Sequence, residues 1–388
     1  MQPLEAGKRL EEFSLLGGPL HRLGQRLRLV RGKTDTVPLG LALGGLAWFI
    51  LVALALIQGI AQQMFSLALI VSHVRLLVVI PLLFVCESWL APRMTLFADT
   101  IVRSGVVPEQ ARSAMDDEVA RIRRLQESWL AETICLIIAL IPLLTPQVDL
   151  PGATAILDAS RATAAPLAAY WYSFVCLTLF RFLLLRWLWR LGLWWYFLWR
   201  LARLDLRLLP AHPDGAAGLG YLEVVHIGFT PLVLALSAFQ SAWLAEEISE
   251  GVAAFEKIYP VLSFTLILDV MLFIAPLFIF APKLWTCRAI SLSLYGSFAA
   301  RYVRGFHEKW LGERPSAREP LLGTPDLQSL ADLSNSVNII RNMRWSPASV
   351  RLFKVIVIAA LLPLLPLVQF KYPIAELLQK FLIRATGL

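Results

Sequence analysis

Charge is scarce in this sequence. Only 16% of its 388 residues are Asp, Glu, Lys or Arg, against roughly a quarter in soluble domains. Hydrophobic residues make up 57%, above the usual ~45–50%, and mean hydropathy is +0.65. Such a chain needs a solvent that accepts apolar surface. Cysteine is sparse as well. Cys86, Cys135, Cys176 and Cys287 lie far apart, which argues against a disulfide framework or a zinc site and leaves them as small packing residues. Catalytic signatures are missing too: no G-x-S-x-G, H-E-x-x-H or P-loop occurs. The net charge of +8 comes without zinc-finger, RNP or helix-turn-helix patterns, so nucleic acid is not an expected partner. Neither a metal nor a cofactor is expected. No cleavable leader is expected either, because the first 36 residues are polar and basic and the first apolar run is long enough to span and stay.

What the chain has in abundance is apolar runs. A membrane span needs about 20 such residues, and six segments qualify: 38–61, 67–90, 129–144, 166–187, 222–244 and 258–280. A seventh, 352–370, carries Pro363 and Pro366; it reads as a kinked span, with a re-entrant or interfacial segment as the alternative. Loop charges test the assignment independently. Basic residues crowd the segment before span one, the loops after spans two and four, and the stretch after span six. By contrast, 145–165 holds one arginine against two aspartates, and 245–257 holds Glu246, Glu247, Glu250 and Glu256 against Lys257. This alternation places the N-terminus in the cytosol. The expected fold is all-α, a polytopic transmembrane helical bundle. Residues 1–36 form a cytosolic segment and 37–282 a six-span membrane domain with a cytosolic helix within 94–128. Residues 283–351 form a cytosolic helical region, and 352–388 a C-terminal membrane or interfacial segment.

Two cytosolic stretches carry helical patterns. In 108–129, Met115, Val119, Ile122 and Leu125 recur at helical spacing, with Asp116, Asp117, Arg121, Arg123 and Arg124 on the other faces. Within 283–351, Pro315–Pro320 reads as a loop and Thr324-Pro325-Asp326 as a helix start. The stripe Leu327, Leu330, Leu333, Val337 and Ile340 follows, and Ser346-Pro347 is the stop. The polar face of that helix bears Asp332, Asn335, Asn338 and Arg341. It is solvated, or it docks on the cytosolic mouth of the bundle or on a partner.

Charges inside spans are the first functional candidates, because a charge facing lipid is costly. They are Asp269 in span six, Arg181 in span four, Glu87 in span two, and Glu223 and His226 at the start of span five. Asp269 and Arg181 differ in depth by only about 6 Å at 1.5 Å per residue. That suggests an interhelical ion pair, with an ion or proton pathway as the alternative. The Trp- and Arg-rich stretch 181–207, including Arg186 and Arg190, reads as an interfacial anchor, with an anionic-lipid site as its alternative. His212, Asp214 and Gly215 in His-Pro-Asp-Gly form a turn. A catalytic His/Asp pair there would lack a visible nucleophile.

Together, the stretch from His212 to Leu222 (HPDGAAGLGYL) and that from Gln328 to Ser336 (QSLADLSNS) resemble motifs of a group of uncharacterised bacterial multi-pass membrane proteins. Tyr295-Gly296 and Lys309-Trp310-Leu311 stand between them in the shared order. Ala217 and Ser334 occupy positions where that group has glycine. The resemblance implies bacterial origin, hence the cytoplasmic membrane, and a multi-pass topology; it implies no activity.

Three functions remain open. The leading one is passage of an ion or small solute, with Asp269, Arg181 and Glu87 near the path. A scaffold or sensor presenting 283–350 is the second, and an intramembrane enzyme using His212 and Asp214 the third. The expected partners are the bilayer and anionic lipid at its cytosolic face, with a protein or a second copy as further possibilities.

Overall fold

A computed structural model of the chain describes residues 15–32, 34–60, 69–143, 167–249, 251, 255–311 and 325–370. Expectations that fall on 1–14, on the 145–165 loop, on Pro315–Pro320, on Thr324 or on 371–388 lie outside the described residues. Within them every regular element is helical, and the only extended pairing is the isolated bridge Arg31–Asp35.

The short helix α1 (Pro19–Arg26) precedes α2 (Val37–Ile57). Helix α2 has no charged residue and starts where Asp35 Oδ1 accepts the Val37 N–H at 3.1 Å, with Pro38 in the first turn. Helix α3 (Ile70–Arg103) contains a π-helical stretch, Arg75–Val79. Helix α4 (Glu109–Gln126) is followed by α5 (Trp129–Leu140) and a 3-10 turn, Ile141–Leu143. Helix α6 (Leu167–Arg203) has its own π-helical stretch at Tyr172–Cys176. Then come α7 (Tyr221–Ile227), α8 (Thr230–Ser249) and α9 (Ile258–Phe273). A 3-10 segment, Ala275–Phe280, leads into α10 (Ala281–Trp310). Last are α11 (Pro325–Arg341), α12 (Val350–Leu361) and a 3-10 segment, Leu362–Phe370.

Six of these helical runs are long and apolar enough to cross a membrane, so the chain is an integral membrane protein with an all-α bundle. The sequence reading has six spans and a kinked seventh; the described residues give six, or seven if one bent pair counts as a span, and the membership differs. The expected third span is too short alone: α4 and α5–turn qualify only as a pair, bent by 43°. The expected sixth, 258–280, breaks at Ile274 into the 16-residue α9 and the 3-10 segment. The run that passes on length is instead Ala275–Trp310, which extends into the stretch expected to be soluble. The proline-bearing seventh candidate is long enough, as Val350–Phe370. Its Leu364 and Leu367 pack with Leu244, Ala245 and Ile70, so it runs the length of α8.

The end of the bundle where α1 meets the C-terminal halves of α3 and α6 is termed the N-side here. Helix α2 packs along α3, and the π-helical stretch lies at closest approach. A Cβ on Gly44 would sit 2.1 Å from the Leu76 carbonyl oxygen. Helix α4 presents Met115, Val119 and Ile122 inward as the spacing predicts, but Leu125 is 39% exposed and Asp116 is buried. Helices α10 and α11 form a hairpin that packs mainly on itself. Where α10 ends and α11 begins, the Asp326 carboxylate accepts from Lys309 Nζ at 2.7 Å and Trp310 Nε1 at 3.1 Å.

Gly44→Val should force α2 off α3, because a backbone carbonyl cannot rotate away as a side chain can. The expected loss is about 1–3 kcal/mol, read as a lower melting temperature of the purified protein. An unchanged melting temperature would contradict the α2–α3 register.

Candidate functional site

Among the described residues, Glu87 is the centre of a buried charge network. Its Oε1 lies 2.6 Å from Arg186 Nη1 and 2.5 Å from Arg190 Nη1, so one carboxylate of α3 takes two guanidiniums one turn apart on α6. Arg186 Nε also donates to Glu132 Oε1 on α5 at 3.0 Å. The two arginines further donate to the Gly17 carbonyl at 3.2 and 3.3 Å. Glu132 Oε2 accepts the Leu20 N–H at 2.9 Å and so caps the first turn of α1. Two positive and two negative groups cancel, and α3, α5, α6 and the N-terminal segment converge on them. The interfacial-anchor reading is therefore corrected for Arg186 and Arg190, which are 3% exposed. It fits better further along α6, where Arg200 pairs with Glu118 and Tyr196 Oη donates to the same carboxylate at 3.2 Å.

A second buried cation, Arg75, was not singled out from the sequence. It lies 12 residues before Glu87 on α3, about 18 Å away along the helix axis. Its guanidinium donates to Tyr172 Oη and sits 5.0 Å from the Phe180 ring centre and 5.2 Å from that of Phe239. Arg75 and Tyr172 each open one of the two π-helical stretches, which re-aim their side chains toward each other. Glu246 and Ser72 also border the Tyr172 hydroxyl. The signal was present in the sequence: an arginine and His73 interrupt an apolar run.

At the N-side the remaining candidates are committed to structure. Trp194 Nε1 donates to His226 Nε2 at 3.1 Å, so the proton of His226 is on Nδ1, which donates to the Phe273 carbonyl at 2.5 Å. Glu223 pairs with Arg344 at 2.8 Å. Arg344 also donates to the Asp214 carbonyl, and its backbone N–H to that of Gly215, both at 2.8 Å. The Asp214 carboxylate accepts from the N–H groups of Ala216, Gly218 and Gly220 at 2.8, 3.0 and 2.8 Å, closing the turn. Burial would push this carboxyl up, but these backbone donors and His212, 3.0 Å away, outweigh it and hold Asp214 below its ordinary value. Ala217 adopts φ 55°, a left-handed conformation that glycine takes more easily.

Asp269 and Arg181 are not brought together, which corrects the expected ion pair. Helix α9 packs against α8 and α12, whereas Arg181 on α6 lies near Arg75 and Tyr172. Equal depth does not make two helices neighbours. Asp269 is 1% exposed, and its Oδ2 has no hydrogen-bond partner among the described residues. On the hairpin, Asp332, Asn335 and Arg341 are exposed. Asp332 Oδ1 accepts from Gln328 Nε2 at 3.0 Å, and the Arg341 carbonyl accepts from Arg288 at 2.6 Å. No family profile, curated protein or solved structure matches this chain.

Two outcomes follow. Glu87→Gln leaves two guanidiniums with one neutral acceptor, and should cost about 3–5 kcal/mol, the range for breaking a buried pair. The readout is chemical or thermal unfolding in detergent, and a loss under 1 kcal/mol would contradict the network. Asp214 has a depressed native-state value, so its contribution is complete above the unfolded value near pH 3.9 and fades as pH falls through the lower, folded value. The melting-temperature deficit of Asp214→Asn should therefore be full at pH 7 and shrink below about pH 4. A deficit that grows on acidification would refute this.

Proposed function

We propose that this protein passes an ion or small solute across the bilayer, with Asp269 in the α8/α9 seam at the centre of the route. The observation that carries this is the buried Asp269 carboxyl, whose Oδ2 has no hydrogen-bond partner among the described residues. A carboxyl group at that depth is costly and is kept where it serves a pathway or a proton. Glu87, Glu223, Asp214 and His226 are held by defined partners in the bundle, so they support its architecture rather than a route. Loop charge supports a cytosolic N-side: Arg103, Arg112, Arg121, Arg200, Arg203 and Arg207 all lie toward that end. The bacterial cytoplasmic membrane is the setting this implies, with anionic lipid at the basic face.

A second reading has one observation in its favour. The α10–α11 hairpin exposes Trp285, Ile290, Leu294, Phe298 and Val303, which suits a surface that another protein or the bilayer covers. The His212/Asp214 enzyme reading has less support, because the Asp214 oxygens are occupied by turn N–H groups.

Proteoliposomes containing the purified chain should show a flux of a cation, an anion or protons above protein-free vesicles. Asp269→Asn should lower it at least tenfold, roughly 1.4 kcal/mol or more in barrier terms. If no flux appears for any of the three, the passage reading fails and the hairpin reading replaces it.

A further inference from the structure

Helices α8 and α9 run antiparallel, and two observations fix their register. Leu244 and Ala245 pack with Val261 and Leu262, and the Thr265 hydroxyl donates to Gln240 Oε1. One turn nearer the N-side lie Ser237 on α8 and Asp269 on α9, since residues three and four apart share a helix face. Both are buried. Neither Ser237 Oγ nor Asp269 Oδ2 has a hydrogen-bond partner among the described residues. By this register the two orphaned oxygens fall at one depth of the seam, one turn from the oxygens of Gln240 and Thr265.

From this layer we infer a binding site for one desolvated monovalent metal cation, held by Asp269, Ser237, Gln240 and Thr265. It rests on the passage reading in that it lies on the ion's route. All four side chains offer oxygen, the ligand of hard cations. Among the described residues no three His, Cys, Asp or Glu side chains converge to hold a metal, and the charge at this layer is a single carboxylate. A monovalent ion neutralises it, whereas a divalent ion would leave a net positive charge in hydrocarbon. A proton would satisfy Asp269 alone and leave the Ser237 hydroxyl orphaned.

The surrounding backbone fits the assignment. The chain breaks at Ile274, one turn from Asp269, where the Leu272 and Phe273 carbonyls accept from Trp195 and His226 at 3.2 and 2.5 Å. Interrupted helices beside an intramembrane polar layer are a known solution for ion sites in hydrocarbon. On the adjoining face of α8, Ala238 and Ser241 line a cavity of about 520 Å³ that also touches Val78 and Pro366. Ala238 and Ser241 follow Ser237 and Gln240 in sequence and point about 100° away from them around the helix, so the cavity lies beside the layer rather than opening on it.

The test measures binding apart from transport. The full chain in detergent is melted in sodium, potassium or lithium chloride against N-methyl-D-glucamine chloride, at constant ionic strength and pH. One of the three metal ions should raise the melting temperature saturably. Ser237→Ala and Thr265→Val should weaken its apparent affinity at least tenfold, and Asp269→Asn should abolish the effect while still eluting as a folded particle. Equal melting in all four salts overturns the site, as does a response to pH alone or a response that survives in Asp269→Asn. Cation binding without liposome flux keeps the site and removes the passage reading; flux with equal melting does the reverse.

Discussion

The fold depends on the pairing of Arg186 and Arg190 with Glu87. Two guanidiniums cannot enter an apolar interior unless their charge and their N–H groups are both answered. Glu87 supplies most of the charge, Glu132 supplies the rest, and the Gly17 carbonyl takes the remaining donors. The partners come from α3, α5, α6 and the N-terminal segment. Moving any of these by one turn, about 5.4 Å, would strand at least one charge. Apolar side chains permit many registers and these charges permit one. The network also explains why a polar N-terminal segment ends against the bundle, since the carbonyl of Gly17 and the first turn of α1 are parts of it.

This arrangement separates the charged groups into two kinds. Arg75 sits among Tyr172, Phe180 and Phe239, Glu223 pairs with Arg344, and Asp214 closes a turn. Their chemistry is spent on holding helices together. Asp269 differs, because among the described residues no cation pairs with it and its Oδ2, like Glu87 Oε2, accepts no hydrogen bond. Of the five intramembrane candidates visible in the sequence, three serve the architecture and Arg181 lies beside Arg75 rather than Asp269. In the α8/α9 seam the leftover polar capacity is an unpaired carboxylate oxygen and a hydroxyl, and the other polar groups of that layer are neutral.

Much of the fold was legible because hydropathy and helical spacing are local properties. The charge-free α2, the inward stripe of α4 and the turn at His212–Gly215 all follow from neighbours in sequence. What depended on helix adjacency was not legible. Arg186 and Arg190 look like headgroup anchors until α3 brings Glu87 beside them. Asp269 and Arg181 look paired at equal depth until α9 is seen to pack against α8 and α12. The break at Ile274 was signalled only by Pro276, because the residues on both sides are apolar and hydropathy does not register a change from α to 3-10 winding. Arg75 was missed although it lies well inside its expected span of 67–90, further from an edge than Glu87.

The account as a whole claims that the seam at Ser237 and Asp269 is reachable by a hydrated ion, although apolar helices surround it. Substituted-cysteine accessibility tests this most directly, in a background where Cys86, Cys135, Cys176 and Cys287 are replaced by serine or alanine. Ser237→Cys should react with a small charged thiol reagent added to membranes, whereas Ile267→Cys, whose side chain points out of the bundle at 60% exposure, should lie in lipid and stay unmodified. Modification of Ile267→Cys but not Ser237→Cys, or of neither, would contradict a wet seam at Asp269.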